Sequence, residues 1–102
     1  MSKEELKKAI QQATDVVGKE YAIKSVRLFG SQARGTATAD SDIDLIIEFE
    51  PDATVGLFAL YEIQNIYEQH LKREADITTP AGLDDFVRDQ VLAEAEVVYE
   101  RR

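Results

Sequence analysis

From Lys3 to Val17 the apolar residues Leu6, Ala9, Ile10, Ala13, Val16 and Val17 recur at steps of three and four, the spacing that lines one side of a helix. Ser2 stands where a capping hydroxyl belongs and Gly18 where the helix would stop. The period then changes to two. Ser25 to Phe29 alternates around Val26 and Leu28 and runs into Gly30, which predicts a strand entering a turn. Gly30 to Ser41 holds small and polar residues apart from Arg34, which predicts a loop. Ile43 to Phe49 is the most apolar stretch. Its alternation puts Ile43, Leu45, Ile47 and Phe49 on one face and Asp42, Asp44, Ile46 and Glu48 on the other.

Pro51 and Asp52 break that strand. Thr54 is placed to cap a second helix, in which Leu57, Leu60, Ile63, Ile66 and Tyr67 repeat at helical spacing up to about Leu71. Ala75 to Thr79 is short, β-branched and ended by Pro80, which suits a third strand with Ala75 and Ile77 on one face and Asp76 and Thr78 on the other. Asp84 can cap a third helix with Phe86, Val87, Val91 and Leu92 inward, and Val97 to Tyr99 either extends it or forms a brief strand. The order α, β, β, α, β, α, without repeat or linker, predicts one domain over residues 1–102. The fold class is α/β in the α+β sense: a small mixed sheet with helices on one face and the acidic face open.

Composition narrows what such a sheet can serve. The absence of Cys excludes a disulfide framework and a thiolate metal site, and no apolar stretch resembles a signal peptide or a membrane span, so the cytoplasm is expected. Twelve basic residues against twenty acidic ones give a net charge of −8, which repels the backbone of DNA or RNA. A nucleotide can bind only where cations or local donors reverse the field.

Such a place is marked in GSQARGTATADSDID, where Gly30 and Ser31 are followed after ten residues by Asp42 and Asp44. At residue frequencies of about 6% each, the four-point pattern arises by chance about once in a thousand such chains. Carboxylates two residues apart on a strand lie ~6.6 Å apart and point the same way, which suits two magnesium ions ~3.5–4 Å from each other. Gly30 permits a sharp turn close to phosphate oxygens, Ser31 offers a hydroxyl and an N–H, Arg34 a fork of donors, and Gly35 lets the loop close. Asp76, on a neighbouring strand and a polar face, is the candidate third carboxylate. It can take the proton of an attacking hydroxyl or complete a metal shell for in-line attack on an α-phosphorus.

The stretches LFGSQARGTATADSDIDLIIEF, LFALYEIQNIYEQHLKREADITTPAGL and VRDQVLAEAEVVYE resemble the minimal nucleotidyltransferases (MNT) of the DNA polymerase beta superfamily, over nearly the whole chain. The resemblance implies that Gly30 and Ser31 bind nucleotide phosphate and that Asp42, Asp44 and Asp76 bind metal. Many such proteins are antitoxins of HEPN/MNT pairs, and some place AMP on a tyrosine of the HEPN toxin. The resemblance therefore implies ATP as substrate, magnesium as cofactor and a HEPN partner; a homo- or hetero-oligomer is compatible with the sequence, which does not fix the oligomeric state. Larger relatives add a substrate domain beyond the point where this sequence ends.

Taken singly, the parts have plainer uses. Acid pairs in strands are usually solvated, Gly-Ser is a common loop dipeptide and an exposed loop arginine is most often only hydrated; the joint spacing with Asp76 is what favours a site. Asp40 and Ser41 fit a turn beside it, Asp40 being also a candidate partner for a metal-bound water. His70 fits a helix end, Tyr61, Tyr67 and Tyr99 fit packing or an interface, and Glu48, ~13 Å from Asp44, is too far to share its metal. Two other functions remain compatible with the sequence: a non-catalytic antitoxin that covers its partner, and a catalytic subunit whose substrate domain is a separate chain.

Overall fold

The computed structural model describes residues 2–30 and 42–101. Helix α1 (Lys3–Val17) opens with a capping box. Ser2 Oγ accepts the Glu5 N–H at 3.2 Å and the Glu5 carboxylate takes the Ser2 N–H at 3.4 Å, satisfying groups that have no partner inside the helix. Gly18 stops α1 while keeping a right-handed conformation, its N–H bonded to Thr14 O at 2.7 Å. The chain continues as β1 (Ile23–Phe29), β2 (Ile43–Phe49), α2 (Leu57–Leu71), β3 (Ala75–Thr78), a 3-10 turn (Pro80–Gly82), α3 (Asp85–Glu94) and β4 (Glu96–Glu100).

The strands form one mixed sheet in the order β3-β2-β1-β4. β1 is antiparallel to both neighbours, and β2 and β3 are parallel. β1 starts at Ile23, two residues before the expected Ser25, because buried Ile23 still pairs with Phe49. The C-terminal alternative resolves as a strand. Glu96 reaches back to Lys3 at 2.8 Å and Lys7 at 2.5 Å, and Val98 O accepts from Gln11 Nε2 at 3.0 Å, so α1 fastens β4 to the sheet edge.

Val26, Leu28, Ile43, Leu45, Ile47, Ala75 and Val98 meet Leu6, Ile10, Ala13 and Val17 of α1 and Ile63, Tyr67 and Leu71 of α2 in one core. Inside it, Thr14 Oγ1 donates to Ile10 O at 2.7 Å, so its 2.6 Å contact with Tyr67 is donated by the phenol. Burial pushes the Tyr67 hydroxyl up to about 12, so it keeps that proton at any physiological pH.

Three expectations about the helices need correction. Thr54 is not a cap: α2 begins after Gly56 with no side-chain bond at its start. Leu57 is 85% exposed. Each step of three residues falls ~60° short of a full turn, so two such steps carry Leu57 well off the stripe of Ile63, Tyr67 and Leu71. On α3 the Asp84 cap forms, accepting the Phe86 N–H at 3.2 Å, yet Phe86 is 93% exposed, Val87 is exposed, and Val91 and Leu92 are only half-buried. The acid-bearing side of the sheet is also not bare throughout. Ile46 is 2% exposed there, in register with Arg27 and Thr78.

Candidate functional site

Register sets the site. Phe29 pairs with Asp44 across the antiparallel strands, and Asp44 pairs with Asp76 across the parallel ones. Neighbouring strands lie ~4.8 Å apart, so Phe29, Asp44 and Asp76 form a row over three strands. The row lies opposite the core side chains Leu28, Leu45 and Ala75. Asp42 immediately precedes β2, one pleat (~6.6 Å) before Asp44. Asp42 and Asp76 are exposed and Asp44 is half-buried. The start of β3 is held by its neighbours: Glu68 of α2 accepts the Ala75 N–H at 3.0 Å, and the Ile43 N–H bonds Glu74 O at 3.0 Å. The position of Asp76 therefore rests on both α2 and β2.

Gly30 follows β1 with φ 75°, a left-handed conformation that disfavours side chains, and a Cβ there would run into Asp44 Oδ2. The turn thus passes directly over the central carboxylate, an approach that needs glycine for space as well as for φ. Ser31, Arg34 and Gly35, along with Asp40 and Ser41, lie outside the described residues.

One residue escaped the sequence reading. The alternation of Ser25, Val26, Arg27 and Leu28 already places Arg27 on the acid-bearing side, where it pairs with Ile46 one row beyond Asp44. Arg27 Nη1 donates to Ser25 Oγ at 3.1 Å and lies 3.6 Å from Glu48 Oε1, while Ser25 Oγ donates to Glu48 at 3.3 Å. Glu48, read from sequence as a surface residue, is thus tied to a cation away from the aspartates. His70 is exposed in the last turn of α2, in keeping with a helix-end role.

The aspartates supply hard oxygen donors, the type magnesium prefers. Among the described residues no three acidic, imidazole or thiolate groups stand close enough to grip an ion. The three aspartates are therefore an open array set by backbone register. That suits magnesium, which is commonly held by one or two carboxylates together with substrate phosphates and water.

The chain matches the family model for a nucleotidyltransferase domain over residues 4–98. A Thermococcus cleftensis relative named protein adenylyltransferase MntA is 30% identical over 79 residues, covering 78% of this chain and 76% of its own. A solved structure described as a candidate minimal nucleotidyltransferase is 37% identical, with a TM-score of 0.75 over 93% of this chain and 94% of the other. A chain in the complex of the tri-AMPylated Shewanella oneidensis HEPN toxin with MNT antitoxin shares the fold. Its TM-score is 0.71 at 15% identity, over 97% of this chain and 73% of that one.

Proposed function

Because the chain belongs to the nucleotidyltransferase domain family, we propose that it moves AMP from ATP onto a protein hydroxyl, a tyrosine of a cognate HEPN toxin, and so acts as the antitoxin. The observation that carries the reading is the row of Asp44 and Asp76 beneath the glycine turn, with Asp42 one pleat away. The relative named protein adenylyltransferase and the AMPylated toxin complex support the choice of AMP and of a HEPN partner.

Asp42, Asp44 and Asp76 would hold magnesium, which when bound offsets phosphate charge and lowers the pKa of the acceptor hydroxyl. Gly30 keeps the backbone close to Asp44. Ser31, Arg34 and Gly35 are assigned to the outer phosphates by their place in the motif. The acceptor oxygen bonds the α-phosphorus as the bond to the bridging oxygen breaks and pyrophosphate leaves. Asp76, at the exposed end of the row, would take the hydroxyl proton or share the metal.

Incubation with ATP, magnesium and the cognate HEPN chain, followed by intact-mass measurement, tests this. We expect AMP on a partner tyrosine and its loss with Asp44→Asn. A partner silenced equally by Asp44→Asn, with no added mass, would instead identify a non-catalytic antitoxin.

A further inference from the structure

The three aspartates occupy the end of the sheet where β1 finishes and β2 and β3 begin. The opposite end is unlike it. There the first turn of α2 exposes Leu57 at 85%, Phe58 at 90% and Tyr61 at 65%. Tyr61 lies four residues from Leu57 and three from Phe58, so its side chain neighbours both on the helix surface. Just before them, Val55 helps line a groove of about 370 Å³ with Phe49, Pro51, Pro80 and Ala81. Beyond the Ala81 wall, the first turn of α3 adds Phe86 at 93% exposure and half-exposed Val87.

An aromatic side chain presents ~150–250 Å², so Phe58 and Tyr61, on one helix, offer about 250–400 Å² beside exposed Leu57. That is the size of the largest apolar patch on a typical monomer, roughly 300–600 Å², a patch that is often functional.

Charge decides what covers it. From Glu50 to Leu71 the sequence has no Lys or Arg. Asp52, Glu62, Asp84, Asp85 and Asp89 are all exposed around the apolar positions. Two nearby basic residues are already engaged: Arg88 by Asp85 at 3.0 Å and by the carbonyls of Pro80 and Leu83, and Arg101 by Glu50 of the groove at 3.9 Å. A second copy of this chain would bring an identical acidic rim against the first, at a net charge of −8 on each side. Like charges so placed oppose association.

We propose that this distal end is a docking surface for a different protein, one whose contact face has an apolar centre rimmed by Lys and Arg. Leu57, Phe58 and Tyr61 are its anchors. Docking here leaves the aspartates uncovered, open to ATP and to an acceptor hydroxyl.

The choice of probe rests on the functional reading above: the cognate HEPN chain, titrated calorimetrically against the wild-type protein and against Leu57→Ser/Phe58→Ser/Tyr61→Ser. These side chains are solvent-exposed, so the variant should keep its melting temperature and its Mg-ATP affinity. The expected result is a Kd raised at least about 100-fold. Asp52→Lys/Asp85→Lys should slow association about tenfold at low salt and much less at high salt. An unchanged Kd in the triple variant overturns the proposal, as does wild-type self-association that the variant abolishes, which would make the occupant a second copy. Binding without AMP transfer leaves the docking surface standing and removes the proposed activity; transfer without measurable binding does the reverse.

Discussion

At Gly30 a methyl group would meet two obstacles, a left-handed φ and the carboxylate of Asp44. The first costs about 1–3 kcal/mol for a non-glycine residue. The second can be relieved only by moving Asp44 or the turn. Gly30→Ala should therefore lower stability by about that amount and weaken metal-dependent ATP binding about tenfold or more, since 1.4 kcal/mol of lost positioning is already a factor of ten. Thermal melts and titrations of the same preparation check this. A variant that melts early but binds ATP normally would confine Gly30 to a structural role. The requirement for glycine was legible in the sequence, but its pressure against Asp44 was not. The sequence placed Gly30 near phosphate, whereas contact with a residue fourteen positions later depends on the register of β1 against β2.

Alternation and helical spacing located every principal element except β4, and the faces of β2 and β3 came out as written because a strand with one buried face has its register pinned by its apolar side chains. The helices were less legible where they leave the sheet. Leu57 and Phe86 are apolar at plausible spacings, yet nothing in the described structure covers them, and periodicity cannot distinguish a core position from one awaiting another surface. Likewise, β4 is too short to declare itself and depends on β1 and on α1. That dependence is testable through Glu96, whose carboxyl is held below its ordinary 4.5 by hydrogen bonds from Lys3 and then Lys7. A lowered folded-state value gives stability that is present above about pH 4.5 and fades as pH falls through the folded value. Glu96→Gln should thus lower the melting temperature by a few degrees at most at pH 7, the pair being partly exposed. The gap from wild type should close toward pH 3 in melts followed by circular dichroism. A gap independent of pH would show that the glutamate acts through packing alone.

Across the whole molecule, net charge and local charge act at different ranges. At physiological ionic strength exposed charges are screened beyond ~8 Å, so most of the −8 is invisible to a nucleotide at the end of the sheet. Asp42, Asp44 and Asp76 are not. Two unit charges ~6.6 Å apart repel by ~0.6 kcal/mol in bulk water and by ~2.5 kcal/mol at an effective dielectric near 20, and a triphosphate would meet three such carboxylates at once. Arg27 offers little relief, being one row away and already engaged by Glu48. ATP binding should therefore depend on a divalent cation, falling at least about 100-fold when magnesium is replaced by excess chelator. Neutralising the cluster with Asp42→Asn/Asp44→Asn/Asp76→Asn should abolish that dependence, because neither the repulsion nor the ligands remain. The same triple variant should hold or raise the melting temperature, since it removes like charge from one end of the sheet. Calorimetric titration of ATP with and without magnesium, on both proteins, reads all of this. Equal wild-type affinity in chelator would mean that the phosphates are held by protein donors alone, and the aspartates would lose their assignment as metal ligands.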